Sequence, residues 1–478
     1  MADSSKILLT GEEKPVYQLG PLKKELAELT TQLLRDNHKE FHVFFNDRGF
    51  HNHIPHQLLT LYALSAPPFV LTAAYKDNST YQKPLKPAHA ETTTALSQPQ
   101  SQSASSPSAA TTSSFPYTKH LGDSDYYQDY VVFFAAQAAA KGWPTVVREA
   151  LFADTPQATD LLARLYAGVV HPLLHLGFGV EFALEGVVVE GLAQAAVHED
   201  WTARVFRDCD AAAAAKRGVQ AGGAGRRKGF LELVRAVSAD EKVREAARAV
   251  GQYSDGREMW DSVGERLADV AGEFVVLPTD EDVERRAAEV VNASVLLATT
   301  ALQPHHIPKL DFFHMHLITS SISLLSILHS PDLSLPASTR ARILTLFART
   351  ALFVYATRGA QPLSPARLYT YDPKRPDDDE AALVARTVAL PMEDGHAVKA
   401  LRGVLAAWQF CSASQQQEDE HEESFEWGIT DDATWRKAAH LVVDAVEAPG
   451  PKWVRAAAWV ELWAEVPLVE DEGKSLGA

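Results

Sequence analysis

The chain has only two cysteines, Cys209 and Cys411, far apart and outside any C-x-x-C pair. A disulfide framework and a thiolate zinc site are thereby excluded. Positive charge is also scarce, with 45 Lys and Arg against 62 Asp and Glu and a formal net charge of -17. Such a balance argues against nucleic acid and against a membrane as partner, because either would need a cationic face. No stretch reaches the ~20 uninterrupted apolar residues of a membrane span. Residues 1–20 carry Lys and Glu where a secretion signal has its apolar centre, so a reducing, cytoplasmic setting is expected. No G-x-G-x-x-G follows a strand, which leaves no visible fold for a flavin or a Rossmann-bound nicotinamide. The Gly-rich piece 222–229 comes after an Ala/Lys helix and reads as a loop.

Sustained period-two alternation is lacking too, and what replaces it is helical spacing. Leu22, Leu26, Leu29, Leu33 and Leu34 mark an amphipathic helix within 21–45, opened by Pro21. A second helix over 57–65 is read as stopped by Pro67 and Pro68. The apolar run 161–196 is expected to be helical with kinks at Pro172, Gly177 and Gly179. Further helices are expected at 231–250, 281–297, 308–328, 338–356, 380–410 and 435–463. The fold class is therefore all-α: one large bundle-like helical domain over 1–478. A low-complexity Ser/Thr insertion at 78–115, disordered at its centre, and an acidic loop at 412–426 interrupt it.

Histidine is where the chain concentrates its chemistry. His42, His51, His53 and His56 fall within fifteen residues, immediately ahead of an apolar run. H-P-L-L-H supplies His171 and His175, four apart and so on one helix face. F-F-H-M-H supplies His314 and His316, whose rings point about 160° apart on a helix, so that one of them, taken as His316, looks inward. Bundle interiors hold iron or zinc with imidazoles from facing helices, and His56, His171, His175 and His316 are the candidate ligands. Any single histidine on an apolar helix is more often a hydrogen-bonded core residue; the case for a metal rests on three clusters, each beside an apolar run. The zinc-protease glutamate is missing from H-x-x-x-H. Glu181 or Glu185 would complete a two-histidine, one-carboxylate iron site, although surface or core pairing is the commoner role for such residues. Lys399, three residues after His396, is expected to snorkel to solvent. Asp47 and Arg48 are expected to form a turn with a local ion pair, with Arg48 available to an anionic substrate oxygen. Phe44, Phe45, Phe50, Tyr62, Phe312 and Phe313 are mainly core, with some able to line a flat pocket for a fused-ring molecule.

In order, G-F-H-N-H-I-P-H-Q-L-L-T-L-Y-A-L, H-P-L-L-H-L-G-F-G-V-E-F, F-F-H-M-H-L-I-T-S and D-G-H-A-V-K-A-L-R resemble the questin oxidase-like family, from about Phe41 to about Trp463. The resemblance implies an oxidoreductase of fungal-type secondary metabolite biosynthesis that opens an anthraquinone ring by Baeyer-Villiger or dioxygenase chemistry. Its partners would be an aromatic polyketide and dioxygen, and the oligomeric state is left open. It implies two cofactor patterns: NADPH-dependent oxidation without flavin, and non-haem iron held by four histidines and a carboxylated lysine. Matched residue by residue, the metal ligands would be His56, His171, His175, His316 and Lys399, with His53 and His314 as substitutes; beside this match, His53, His314 and Arg48 are the catalytic candidates. The alternatives are a cofactor-free oxidase of the same family, with histidine and Lys399 as bases, and a non-catalytic helical protein that binds aromatic polyketides.

Overall fold

The computed structural model describes residues 6–97, 117–219, 226–252, 254, 256–390, 394–415 and 426–469. Those residues are helical almost throughout, and the one sheet among them pairs Leu310–Asp311 with Trp453–Val454 in parallel. The expected helical domain consists of two compact units: Met1–Arg204 with Ser323–Leu335, and Val205–Ile322 with Pro336–Ala478.

The first unit is built around the helix Glu185–Val197, in which every residue from Gly186 onward is buried. A helix apolar on all sides has to be enclosed by others. Ala167–Glu181 and Tyr127–Lys141 pack along it, while Lys24–Glu40 lies against Ile54–Ala63. At Gly191 an added Cβ would stand 2.6 Å from the backbone nitrogen of Leu176, so only glycine allows Glu185–Val197 and Ala167–Glu181 to approach this closely.

Of two breaks, one extends the sequence reading and one differs from it. The helix Ile54–Ala63 ends ahead of both prolines, and Pro68 also starts the next one, Pro68–Ser79, because proline at a first-turn position has no amide hydrogen to lose. The 161–196 run is broken at Gly168, Val169 and Val170, all left-handed with φ of +54°, +54° and +59°, and at 182–184, while Pro172, Gly177 and Gly179 lie inside regular helix. Pro172 is tolerated because regular helix resumes only just before it. Of the 78–115 insertion, Ala90–Ser97 is helical and Pro84 bridges to Phe41, and 98–116 lie outside the described residues. Most of the acidic loop, 416–425, and residues 222–225 of the Gly-rich piece lie outside them too.

The second unit packs Asp280–Thr300 against His396–Gln415 and Ala337–Thr357, and His396–Gln415 against Asp432–Glu447. Side-chain caps start several of these helices: Thr279 accepts from Asp282 N, Asp379 from Ala382 N and Asp431 from Thr434 N, each contributing about 1 kcal/mol. The expected 231–250 helix divides at Asp240, whose carboxylate caps the next one, and Arg257–Ala271 is a helix the spacing did not reveal. The 380–410 helix divides as well, into Glu380–Val388 and His396–Gln415. Among the described residues no single helix is long and apolar enough to cross a membrane.

Candidate metal centre

In the first unit, four buried imidazoles meet in two pairs. His53 and His56 are supplied by the start of Ile54–Ala63, where Pro55 sets the first turn. His171 and His175 share the face of Ala167–Glu181 that their spacing required. The Nε2 atoms of His53 and His171 are 3.0 Å apart, and His56 Nε2 is 3.2 Å from His175 Nδ1. His53 and His56 pack ring to ring at 5.9 Å, and His56 stacks on Phe178.

The outer nitrogens fix which inner nitrogens carry lone pairs. His171 Nδ1 lies 2.6 Å from the Gly168 carbonyl oxygen; a carbonyl only accepts, so the proton is on Nδ1 and Nε2 turns its lone pair to His53. His175 Nε2 is 2.8 Å from Glu190 Oε2, and the other oxygen of Glu190 lies 2.5 Å from His38 Nδ1. Burial acts to raise the Glu190 carboxyl, but the hydrogen bonds from His175 and His38 outweigh it and hold the group down at about 2. Burial acts to lower His38, and its bond to Glu190 prevails and raises it.

This donor set suits a nitrogen-preferring transition metal. One proton lies between His53 and His171; replacing it with a cation leaves two donor nitrogens. Their separation is close to that of two ligand nitrogens at right angles, each about 2.1 Å from a metal and so about 3.0 Å from each other. Ligand imidazoles characteristically anchor their other nitrogen on a carbonyl or carboxylate, as His171 and His175 do here.

A second tier supports the first. His51 stacks on His171 at 3.9 Å, nearly parallel, and its Nε2 is 2.8 Å from that of His198. Burial, helped by the nearby Arg164 charge, pushes His198 down to about 3, so it stays neutral. Phe44 sets its edge against both rings. A Cβ on Gly168 would stand 2.6 Å from His198 Cε1 and 2.8 Å from His51 Nε2, which is why the turn before His171 begins with glycine.

Other sequence candidates fall elsewhere. Glu181 accepts from the backbone nitrogen of Val16, and Glu185 pairs with Lys6, so neither serves as the carboxylate once considered for an iron site. Arg48 is exposed on the turn at Asn46, and Asp47 pairs with Lys83, not with Arg48 as expected. Phe44 and Tyr62 are core, while Phe50 is exposed.

The second unit gathers a group of its own. Asp311 caps Phe312–Leu328 by accepting from Phe313 N at 2.8 Å and His314 N at 3.1 Å, and it also accepts from Ala457 N at 2.7 Å. His316 bonds through Nδ1 to the Phe312 carbonyl at 2.7 Å and packs 5.1 Å from His396, which in turn bonds through Nδ1 to Asp394. His314 faces Tyr355 instead and has no hydrogen-bond partner on either ring nitrogen among the described residues. Burial pushes it down, with Asp311 opposing and Arg358 assisting. The two rings of H-M-H thus part company as their spacing required. Lys399 does not snorkel; it is 2% exposed on His396–Gln415, and its charge, after that of His396, helps hold Asp394 far below the carboxylate range against burial.

Glu190, His38, His198 and His396 were not singled out from the sequence. Only Glu190 left a clear trace, a carboxylate within V-V-V-E-G-L, where an unpaired charge would be prohibitive.

The questin oxidase-like family model matches residues 50–404. The chain is 30% identical over 481 residues to a questin oxidase of Aspergillus terreus, covering 99% of this chain and all of that one. It is 32% identical over 456 residues to the oxidoreductase AflY of Aspergillus parasiticus, covering 94% and 85%. It is 30% identical over 475 residues to the Baeyer-Villiger oxidase ptaJ of Pestalotiopsis fici, covering 97% and 98%. The non-catalytic alternative is thereby set aside: the chain is an oxidoreductase and belongs to the questin oxidase-like family.

Proposed function

We propose that this chain oxidatively opens a ring of an anthraquinone or a related aromatic polyketide with dioxygen, at a non-haem iron held by histidines. One observation carries the reading: two buried pairs of imidazole nitrogens face each other at 3.0 and 3.2 Å in the first unit, with the outer nitrogens of His171 and His175 anchored on a carbonyl and a carboxylate. His56, His171 and His175, with His53 beside them, would hold the ion, and the resemblance adds His316 and a carboxylated Lys399. Burial of Lys399 supports that addition, since carboxylation would replace a buried ammonium, costly to withdraw from water, by an anionic oxygen donor that a metal would neutralise. Iron supplies the one-electron chemistry that lets triplet dioxygen react with a closed-shell ring.

The chain's own side chains do the rest. Packing around the imidazoles excludes bulk water. Where His56, His171 and His175 hold the ion without it, His53 would keep its Nε2 proton and could pass it to a departing oxygen. Arg48, exposed on the turn ahead of the cluster, would meet an anionic oxygen of the incoming polyketide, and His314, buried and neutral, is the candidate base of the second unit. In the Baeyer-Villiger form one oxygen atom enters between the carbonyl carbon and its ring neighbour, and the other leaves as water with two electrons from NADPH. In the dioxygenase form both atoms remain in the product and no external reductant is used.

Elemental analysis of the purified protein, made together with oxygen uptake on a reduced anthraquinone, tests the reading. Near-stoichiometric iron, lost with activity in His171→Ala, upholds it. Full activity in a metal-free, chelator-treated preparation removes iron and leaves the cofactor-free oxidase.

A further inference from the structure

We infer that Glu190 is a positioning residue that dictates through which nitrogen His175 acts, with His38 as its second anchor; the inference rests on the metal reading above. Glu190 is 3% exposed on a helix buried on every side. A buried carboxylate normally faces an arginine or a lysine. Here each oxygen meets one imidazole instead, His175 Nε2 at 2.8 Å and His38 Nδ1 at 2.5 Å.

Glu190 offers an acceptor oxygen on each side with one ring nitrogen opposite each, an arrangement satisfied when each nitrogen donates. His175 is thereby fixed as the Nε2–H tautomer, and its lone pair is on Nδ1, the atom 3.2 Å from His56. His171 is held in the opposite sense by the Gly168 carbonyl and offers Nε2. The two histidines stand about 6 Å apart along one helix, and they present different nitrogens from the same face. The inner atom of one ring and the outer atom of the other give the two rings unequal reach, which identical tautomers would not. Gly191, next to Glu190, makes the contact possible, because a side chain there would strike the backbone of Leu176, the residue after His175. His38 completes the arrangement by occupying the second oxygen from the helix Lys24–Glu40.

The test uses the full chain with Fe(II) and Co(II) as probes. Glu190→Gln keeps shape and volume but offers one acceptor oxygen and one donor amide, so it can no longer require a proton on both imidazoles. Expected are a ten- to hundredfold weaker Fe(II) dissociation constant in chelator competition, about the loss seen when the outer partner of a ligand histidine is removed, and loss of one slowly exchanging, hyperfine-shifted imidazole N–H resonance from the Co(II) protein. His38→Phe shifts both readouts in the same direction by less. A folded Glu190→Gln protein with unchanged Fe(II) affinity and an unchanged Co(II) spectrum overturns the inference. If the native chain takes up neither ion, the metal reading fails, and nitrogen–proton correlation NMR of the metal-free protein decides this inference alone. His175 protonated at Nε2 upholds it, and His175 protonated at Nδ1 overturns it.

Discussion

In the second unit, Arg386 donates to Asp444 at 2.5 Å, to Glu447 at 2.6 and 2.9 Å and to Asp378 at 2.9 Å, while Tyr371 Oη and Lys374 N fill the other oxygen of Asp444. In the first unit, His53 and His171 meet nitrogen to nitrogen, as do His56 and His175. Both regions bury polar groups where water cannot help. The arginine network closes on itself: each charge faces its opposite, and nothing is left to offer a ligand. In the imidazole group His171 and His175 have their outer nitrogens anchored on a carbonyl and a carboxylate, and the inner nitrogens of all four rings turn toward one another, an arrangement that a cation would complete. Burial alone does not mark a site; the direction of the leftover lone pairs does.

Breaking each region should therefore give opposite phenotypes. The largest effect is expected from His171→Ala, with activity down by more than about a hundredfold, beyond what losing a mere outer partner causes. The iron content should fall with it, and oxygen uptake with elemental analysis measures both. Arg386→Met should cost about 3–5 kcal/mol in urea unfolding, because it strands the fully buried Asp444 carboxylate, while iron per folded chain stays constant. Gly168→Ala should cost about 1–3 kcal/mol through its positive φ and the clash with His51 and His198, and iron affinity should fall with it, since the same turn anchors His171.

The arginine network also has a pH signature. Burial acts to raise Asp444, and bonds from Tyr371, Lys374 N and Arg386 lower it overall from its ordinary 3.8. The bond from Arg386 is the main cause that lowers Glu447 from 4.5. Groups depressed in the folded state take up protons more readily when unfolded, so their contribution is full above about pH 4.5 and is lost as pH falls through the folded values. Urea midpoints measured from pH 6 down to pH 3 should show this slope in the native chain and a shallower one in Arg386→Met. The smallest effect is expected from Arg48→Ala. An exposed charge contact is worth little, so KM should rise about two- to fivefold with iron content unchanged.

Much of this was legible in advance. The spacing of His171 and His175, and of His314 and His316, determined which rings share a face and which do not, and the all-α class followed from the missing alternation. The pairing partners were not legible. His38 ends an amphipathic helix, where a histidine reads as an ordinary cationic terminus, and His198 follows the Glu185–Val197 helix in a polar turn. His396 stood in a motif already noted for its lysine. Each acquires its role only through contacts more than a hundred residues distant or across a turn, which periodicity does not encode. That Pro68 also begins a helix was not legible, because proline both ends and begins helices, and only the following residues decide. Lys399 was misread because snorkelling presumes a nearby surface.

The three left-handed residues ahead of His171 have a consequence for how the protein breathes. Val169 and Val170 are β-branched and sit where L-residues are disfavoured, at about 1–3 kcal/mol each. That segment is therefore the first place expected to open while the surrounding helices stay shut. Because the Gly168 carbonyl also aligns the His171 ring, occupancy of the centre and local order should rise and fall together. Deuterium uptake at 168–171 should be rapid in chelated protein and slow sharply when iron is restored.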